Sequence, residues 1–307
     1  MFAHQVIEDL KRNEDGNEKI FSFWVHYCRK LLESAQCFHM GEVSDVHQMF
    51  EAQDGQKLFI ENAKYIKLPY EKCWFDAKST KGDPCDGAEV ESTKEGILAA
   101  KVIRGSDEFL IAFIVSYLDS IKMWVLIPVA YIISVGKDFT QESLDYLSEV
   151  LDVKMGKCEG GGNMKAIQLM NNIPPGEFEK LHPTCQLNLQ LLCNSLLLLN
   201  CKNITTETHE PPAALNKARR KKGKQELFTY KTLKLIVPQD KKGPHPKGDP
   251  SLDHNRIHFC RGHFKEYTVE APLFGRIIGL WWWQAHVRGK NRDGIVMKDY
   301  KVETKNE

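Results

Sequence analysis

The spacing of apolar residues predicts helices in two regions of the chain, 1–60 and 140–200. Over 17–38, Trp24, Tyr27 and Leu31 recur at helical intervals, and a weaker helical pattern covers 43–59. Thr140 is placed as an N-cap ahead of regularly spaced leucines. Residues 184–200 form a leucine-rich pattern typical of a buried helix.

Between the helical regions the pattern changes to that of buried strands, over 68–135. Cys73-Trp74-Phe75 and the segments 97–104, 109–118 and 123–135 are rich in β-branched and aromatic residues. Short polar connections between the last three segments predict hairpins, and Pro128 predicts an edge strand or a bulge. The fold class predicted is therefore α+β, an antiparallel sheet meander flanked by helices, followed by a basic β-rich C-terminal module.

The same pattern argues against a membrane protein. The apolar runs 109–118 and 123–135 are shorter than the roughly 20 residues of a membrane-spanning helix. Residues 1–19 are charged and lack the apolar core of a signal peptide. The 9 cysteines show no tight pairing, and several lie in apolar helical patterns, which favours a reducing compartment. We expect a cytoplasmic protein without a membrane partner.

Charge divides the chain into an acidic body, 1–210, and a basic, aromatic-rich module, 211–307. Of the 42 Lys+Arg and 41 Asp+Glu, the module holds 21 and 10, so the body holds 21 and 31. An acidic body joined to a basic segment is typical of a protein that binds a polyanion. The alternative is that the basic segment only complements the acidic body.

The densest charge lies at 217–224, where six of eight residues are basic. Such a run can neutralise several phosphates without reading sequence. A solvated loop is the alternative interpretation.

Two aromatic and histidine-rich segments follow. If 256–264 forms a strand, Arg261 and His263 share one face, and Gly262 permits a bulge or a close backbone approach. In 281–289, Trp282, His286 and Arg288 share a face. Aromatic rings beside guanidinium groups are suited to stacking unpaired bases while holding phosphates. Trp281 and Trp283 are predicted to be core residues.

These patterns together give a set of candidate residues and a geometric hypothesis. Antiparallel pairing of the two segments would bring Arg261 and His263 together with His286 and Arg288 as one phosphate-binding patch. Alternatively, Arg261 and His263 hydrogen-bond to the backbone and lock a hairpin. The residues predicted to bind nucleic acid are Lys217, Arg219, Arg220, Lys221, Lys222, Lys224, Arg256, His258, Arg261, His263, Trp282, His286 and Arg288.

Catalytic and cofactor motifs are weak. His254, His258, Cys260, His263 and His286 have side chains that suit zinc, but strand alternation divides them between faces, so no metal and no cofactor are predicted. The chain has neither a Gly-x-Ser-x-Gly elbow nor a cysteine in a catalytic motif. These patterns favour a non-enzymatic protein. A metal-independent ribonuclease using the C-terminal histidines remains an alternative.

The string His-Phe-Cys-Arg-Gly-His-Phe at 258–264, followed by Trp283–Gly289, resembles the His-x-x-Arg-Gly-His signature of a family of prophage and mobile-element proteins. Residues 212–230 are similar to the segment before that signature, and Leu68-Pro69 precedes a strand similar to the family's first central one. The family includes the type V-A anti-CRISPR protein that lowers its target nuclease's messenger RNA during translation. This chain has a longer insert at 265–280, and Cys260 and Phe264 depart from the family's common residues.

The resemblance implies a phage-type anti-defence or host-takeover regulator of gene expression, acting on RNA or the ribosome. In this interpretation the basic module binds RNA, and the acidic body recognises a nascent peptide or a host or defence protein. The remaining alternative is a protein-interaction module whose basic segment binds an acidic partner.

Overall fold

The computed structural model describes two compact units. It covers residues 2–13, 19–42, 62–78, 92–151, 164–169, 188–189, 191–236, 257–260, 262–283, 286–288 and 295–296. Unit 1 comprises Met1–Leu235 and unit 2 comprises Ile236–Glu307. The basic run at 217–224 therefore belongs to unit 1, although the charge pattern grouped it with the C-terminal module.

Unit 1 is built on a sheet whose described strands follow the order β6-β5-β4-β3-β2-β1-β8-β7. Most neighbours are antiparallel, while β1 runs parallel to both β2 and β8. This architecture confirms the predicted α+β class. The strands are β1 Gln36–Glu42, β2 Lys72–Lys78, β3 Ser92–Arg104, β4 Asp107–Leu118, β5 Met123–Ser134, β6 Met164–Gln168, β7 Ile204–His209 and β8 Tyr230–Leu235.

The predicted meander corresponds to β2–β5. Gly105, with a φ of 57°, lies in the two-residue turn between Arg104 and Asp107, where left-handed backbone favours glycine. At Pro128 the pairing of β5 with β4 shifts register, so the predicted bulge is present. The strand is not an edge, because β6 pairs with its other side.

The helices described in unit 1 bury apolar residues, apart from the last of them. They are α1 Ala3–Asn13, α2 Lys19–Leu32, α3 Gln141–Leu151, α4 over 191–199 and α5 Ala213–Lys221, and a 3₁₀ turn spans Ala63–Tyr65. Thr140 caps α3 as predicted, since its Oγ1 accepts a hydrogen bond from Ser143 N at 3.2 Å. Among the described residues, no helix is long and apolar enough to cross a membrane.

The helix predicted over 17–38 ends earlier than expected. It stops at Leu32, and Gln36–Glu42 forms β1 inside the sheet. The helical spacing of apolar residues ends at Ala35, and the residues after it have backbone partners on both sides in β2 and β8. The helix predicted at 43–59 and the Gly-rich segment 160–162 lie outside the described residues.

Unit 2 contains two small sheets among its described residues. Strands β10, His263–Tyr267, and β11, Gly279–Trp283, pair antiparallel. Strand β9, Ile257–Cys260, lies between β12, His286–Arg288, and β13, Ile295–Val296. The single strand predicted at 256–264 is thus divided between two sheets.

Candidate nucleic-acid interface

The basic run forms a well-defined helix rather than a loop. Helix α5, Ala213–Lys221, follows Pro212 and carries its positive charges in the last turn. After the helix, Gly223 has a φ of 64° and the N–H of Lys224 donates to the carbonyl of Arg219 at 3.0 Å. This is the glycine-terminated helix end called a Schellman motif. Proline before a helix and glycine after it are a sequence signal from which α5 was predictable.

Polar side chains join this basic helix to the rest of unit 1. Asn216 exchanges two hydrogen bonds with the backbone of Leu227, at 3.0 and 2.8 Å. Arg219 donates to the carbonyl of Gln225 at 2.6 Å and to Glu8 of α1 at 3.1 Å. Glu8 also accepts the backbone N–H of Gln225 at 3.1 Å. Arg219 therefore works as a structural connector between α5 and α1.

The neighbouring Arg220 is also engaged within the protein. Its Nε and Nη2 donate to the two carboxylate oxygens of Glu226, at 2.6 and 3.0 Å. The hydrogen bond from Arg220 lowers the pKa of Glu226 below its ordinary value. This exposed bidentate pair reduces the net positive charge that the run presents.

Four exposed lysines lie in the second half of the basic helix and directly after it, and we call them the lysine face: Lys217, Lys221, Lys222 and Lys224. All four are exposed, and α5 has no buried residue. The structure gives these ammonium groups no hydrogen bond or ion pair with another residue in its described part. Their charge is therefore directed to solvent, as binding to a polyanion requires.

In unit 2 the tryptophan run contributes mainly to packing. Trp282 is 2 % exposed, and its ring lies 4.8 Å from that of Phe264 between centroids. Gly262 allows this ring to pack against the backbone, because a Cβ there would lie 2.7 Å from Trp282 Cζ2. The burial of Trp282 argues against the stacking role predicted for it, since a base needs an open ring face. Trp281 is buried as predicted.

Other parts of the β10–β11 hairpin remain accessible. His263 is exposed and lies opposite Trp283, whose ring is partly exposed. Trp283 Nε1 donates to the hydroxyl of Tyr267 at 3.0 Å, which fixes the tryptophan ring. Lys265 Nζ lies 5.0 Å from the centroid of the Tyr267 ring. These residues form a cationic and aromatic surface of unit 2. Of them, only His263 was predicted from the sequence to bind nucleic acid.

The predicted four-residue patch is not present in the described strand pairs. His263 lies opposite Trp283, whereas His286 lies opposite Cys260 and Arg288 opposite His258. Arg256 and Arg261 lie outside the described residues. The predicted roles of the remaining signature residues therefore stay predictions.

The described residues contain no group of three or more His, Cys, Asp or Glu side chains arranged to hold a metal ion. Compared with known proteins, the chain matches no family model, no curated protein and no solved structure.

Proposed function

We propose that this protein binds RNA electrostatically through the lysine face of the basic helix. The observation that supports it is that the four exposed lysines in and just after this helix have no partner in the described part of the chain, although the two arginines beside them do. The arginines hold the helix in place and the lysines remain for a ligand. Ammonium groups on flexible stems suit phosphates of varied sequence and geometry.

The proposal extends to the biological role through the resemblance of residues 210–290 to the prophage and mobile-element family. Under it, the chain is a phage-type anti-defence or host-takeover regulator acting on messenger RNA or the ribosome in the cytoplasm. Unit 1 offers the RNA contact, and its acidic remainder recognises a nascent peptide or host protein.

The test compares two fourfold variants that lose the same charge. One replaces Lys217, Lys221, Lys222 and Lys224 by Gln; the control replaces Lys11, Lys67, Lys122 and Lys202, which are exposed elsewhere on unit 1. With single-stranded RNA the log–log salt dependence should fall by about 3 for the first variant, from about 0.7 per lost phosphate contact. The control should lose little beyond general electrostatic attraction.

Unrelated RNA sequences should be affected alike, because phosphate contacts carry no sequence information. Equal loss in both variants would refute the lysine face as the binding site. Binding only to an acidic protein that survives nuclease treatment would favour the protein-interaction alternative.

A further inference from the structure

A buried carboxylate lies on the helix-covered face of the sheet in unit 1. Asp76 of β2 is 0 % exposed and accepts three hydrogen bonds, from Phe2 N at 2.7 Å, Trp74 Nε1 at 3.0 Å and His39 Nδ1 at 2.6 Å. Such donors are needed, because an unpaired carboxylate buried away from water is strongly unfavourable. Phe2 and Trp74 both donate to Oδ2, whereas the imidazole of His39 is bonded to Oδ1, so Asp76 holds this ring in a fixed orientation.

His39 is the member of this group that reaches solvent. It lies opposite Asp76 in the β1–β2 register, and 21 % of its side chain is exposed. A carboxylate only accepts, so Nδ1 bears the proton and Nε2 is the basic nitrogen. The rings of Phe2 and Tyr230 flank the imidazole edge-on, with centroids at 6.3 and 6.2 Å. An imidazole oriented in this way by a carboxylate is suited to act as a general base.

A second imidazole lies across the ring of Tyr230. His209 of β7 is opposite Tyr230 of β8, and the two rings stack with centroids 4.8 Å apart. His209 Nε2 is 2.9 Å from Thr232 Oγ1, which fixes the ring. Tyr230 therefore contacts both His39 and His209, and it places two partly exposed imidazoles on the same face of the sheet.

Helix α1 connects this face with the basic helix. Its Glu8 binds Arg219 of α5, and His4, one turn before Glu8, interacts with charges on both sides. Burial lowers the pKa of His4, the charge of Arg219 lowers it further, and Asp76 raises it. The N–H of Phe2, the residue before α1, donates to Asp76 at 2.7 Å, and Glu8 of α1 accepts from Arg219 at 3.1 Å, so this one short helix joins the Asp76 group to the basic helix.

We propose that His39 and His209 form a metal-independent ribonucleolytic site in which Asp76 is a positioning residue. The inference rests on the proposed function, because the lysine face supplies the RNA. It differs from a site made of C-terminal histidines, since both imidazoles belong to unit 1.

The step is an internal transesterification. His39 Nε2 removes the proton of a ribose 2′-hydroxyl, and the 2′-oxygen forms a bond to the adjacent phosphorus. The bond from phosphorus to the 5′-oxygen breaks with its electron pair, and the His209 imidazolium gives that oxygen a proton. The products are a 2′,3′-cyclic phosphate and a 5′-hydroxyl, and a proton passing through water from His39 to His209 restores the site. No oxidant, metal or co-reactant takes part.

The test incubates full-length protein with a short, end-labelled single-stranded RNA in the presence of EDTA. Cleavage should give cyclic-phosphate and 5′-hydroxyl ends and should be absent on DNA of the same sequence, which lacks the nucleophile. His39→Gln and His209→Gln should each slow cleavage by about 100-fold or more. His26→Gln is the matched control, an exposed histidine of α2, and should cut at the wild-type rate.

Asp76 is tested through its dependence on His39. Asp76→Asn should slow cleavage in the wild type and add nothing in the His39→Gln background, because a positioning residue acts through the group it orients. A purely structural role would lower the rate in both backgrounds.

The possible failures are distinguishable. Wild-type protein that binds RNA but leaves it intact overturns the catalytic site and leaves the lysine face standing. Protein that neither binds nor cuts RNA overturns both proposals. Equal cutting by wild type and His39→Gln, with unchanged melting temperatures, assigns the cleavage to other residues and overturns this one.

Discussion

Replacing Gly262 by Ala should destabilise unit 2 by filling space that Trp282 already occupies. A Cβ at this position would lie 2.7 Å from Cζ2 and 2.9 Å from Cη2 of Trp282, and 3.3 Å from the carbonyl oxygen of Trp283. The two separations from Trp282 are shorter than carbon–carbon contact, for which the optimum is about 3.5–4.0 Å. Trp282 is 2 % exposed and packs on Phe264, so its ring has little room to move.

The expected magnitude follows from overpacking. Inserting a methyl group into a packed site costs about 1–3 kcal/mol, and the reduced freedom of the unfolded chain returns about 0.4–1 kcal/mol. The net loss should be about 1–2 kcal/mol. For a cooperative unit of this size, it corresponds to a fall in melting temperature of roughly 4–16 °C.

Urea unfolding followed by tryptophan emission measures the loss, with Val269→Ala as a control at a position that is 72 % exposed. The stronger check is a double-mutant cycle with Trp282→Phe. The two clashing carbons belong to the outer ring, which phenylalanine lacks, so Gly262→Ala should cost at least about 1 kcal/mol less in that background. An equal cost in both backgrounds would refute the packing argument. It would favour the alternative that Gly262 permits a ligand to approach the backbone closely.

Three further predictions concern the same two units. Arg219→Ala should lower the free energy of unfolding by about 1–3 kcal/mol, since its side chain is only 19 % exposed and binds Glu8 and the Gln225 carbonyl. Arg220→Ala should lower it less, because that side chain is 71 % exposed and water screens its ion pair. Equal losses in urea titrations would contradict the assigned roles. Phe274 has a φ of 51° and is 59 % exposed. Asn tolerates this left-handed backbone better than Phe, so Phe274→Asn should raise the stability of unit 2 by about 0.5–1 kcal/mol. A fall in the melting temperature would show that packing of the Phe274 ring stabilises the unit. Burial raises the pKa of the Cys73 and Cys193 thiols from 9.0 to about 12, so on raising the pH the unfolded chain loses these protons before the folded chain does. The stability that the two thiols contribute is therefore complete below pH 9.0 and declines between pH 9.0 and 12, by up to about 1.4 kcal/mol per pH unit per thiol. Replacing both by Ala should flatten the decline that urea titrations measure across that range.

Local pattern was sufficient for the elements whose partners are close in sequence. The strands from Lys72 to Ser134 pair with their immediate successors, so runs of β-branched residues and short turns determine both the strands and their order. The cap at Thr140 and the bulge at Pro128 also depend on neighbouring residues only. The antiparallel core of the α+β fold was therefore predictable.

Elements whose strand partners are distant in the sequence were not predictable from local pattern. The helix predicted to run to residue 38 ends at Leu32, and Gln36–Glu42 is a strand because β2 and β8 offer its backbone hydrogen bonds on both sides. In the same way the strand predicted at 256–264 is divided between two sheets, because Ile257–Cys260 pairs with β12 and β13 whereas His263–Tyr267 pairs with β11.

For the candidate site too, the sequence determined some features and the tertiary structure others. Sequence by itself determined that six basic residues in eight positions concentrate positive charge at 217–224, because charge is a property of composition. Only the tertiary structure decided that Arg219 and Arg220 are engaged by Glu8 and Glu226, which leaves the charge to the lysines. It also placed His39 against Asp76 and brought both His39 and His209 into contact with Tyr230, since strands far apart in the chain become neighbours in one sheet.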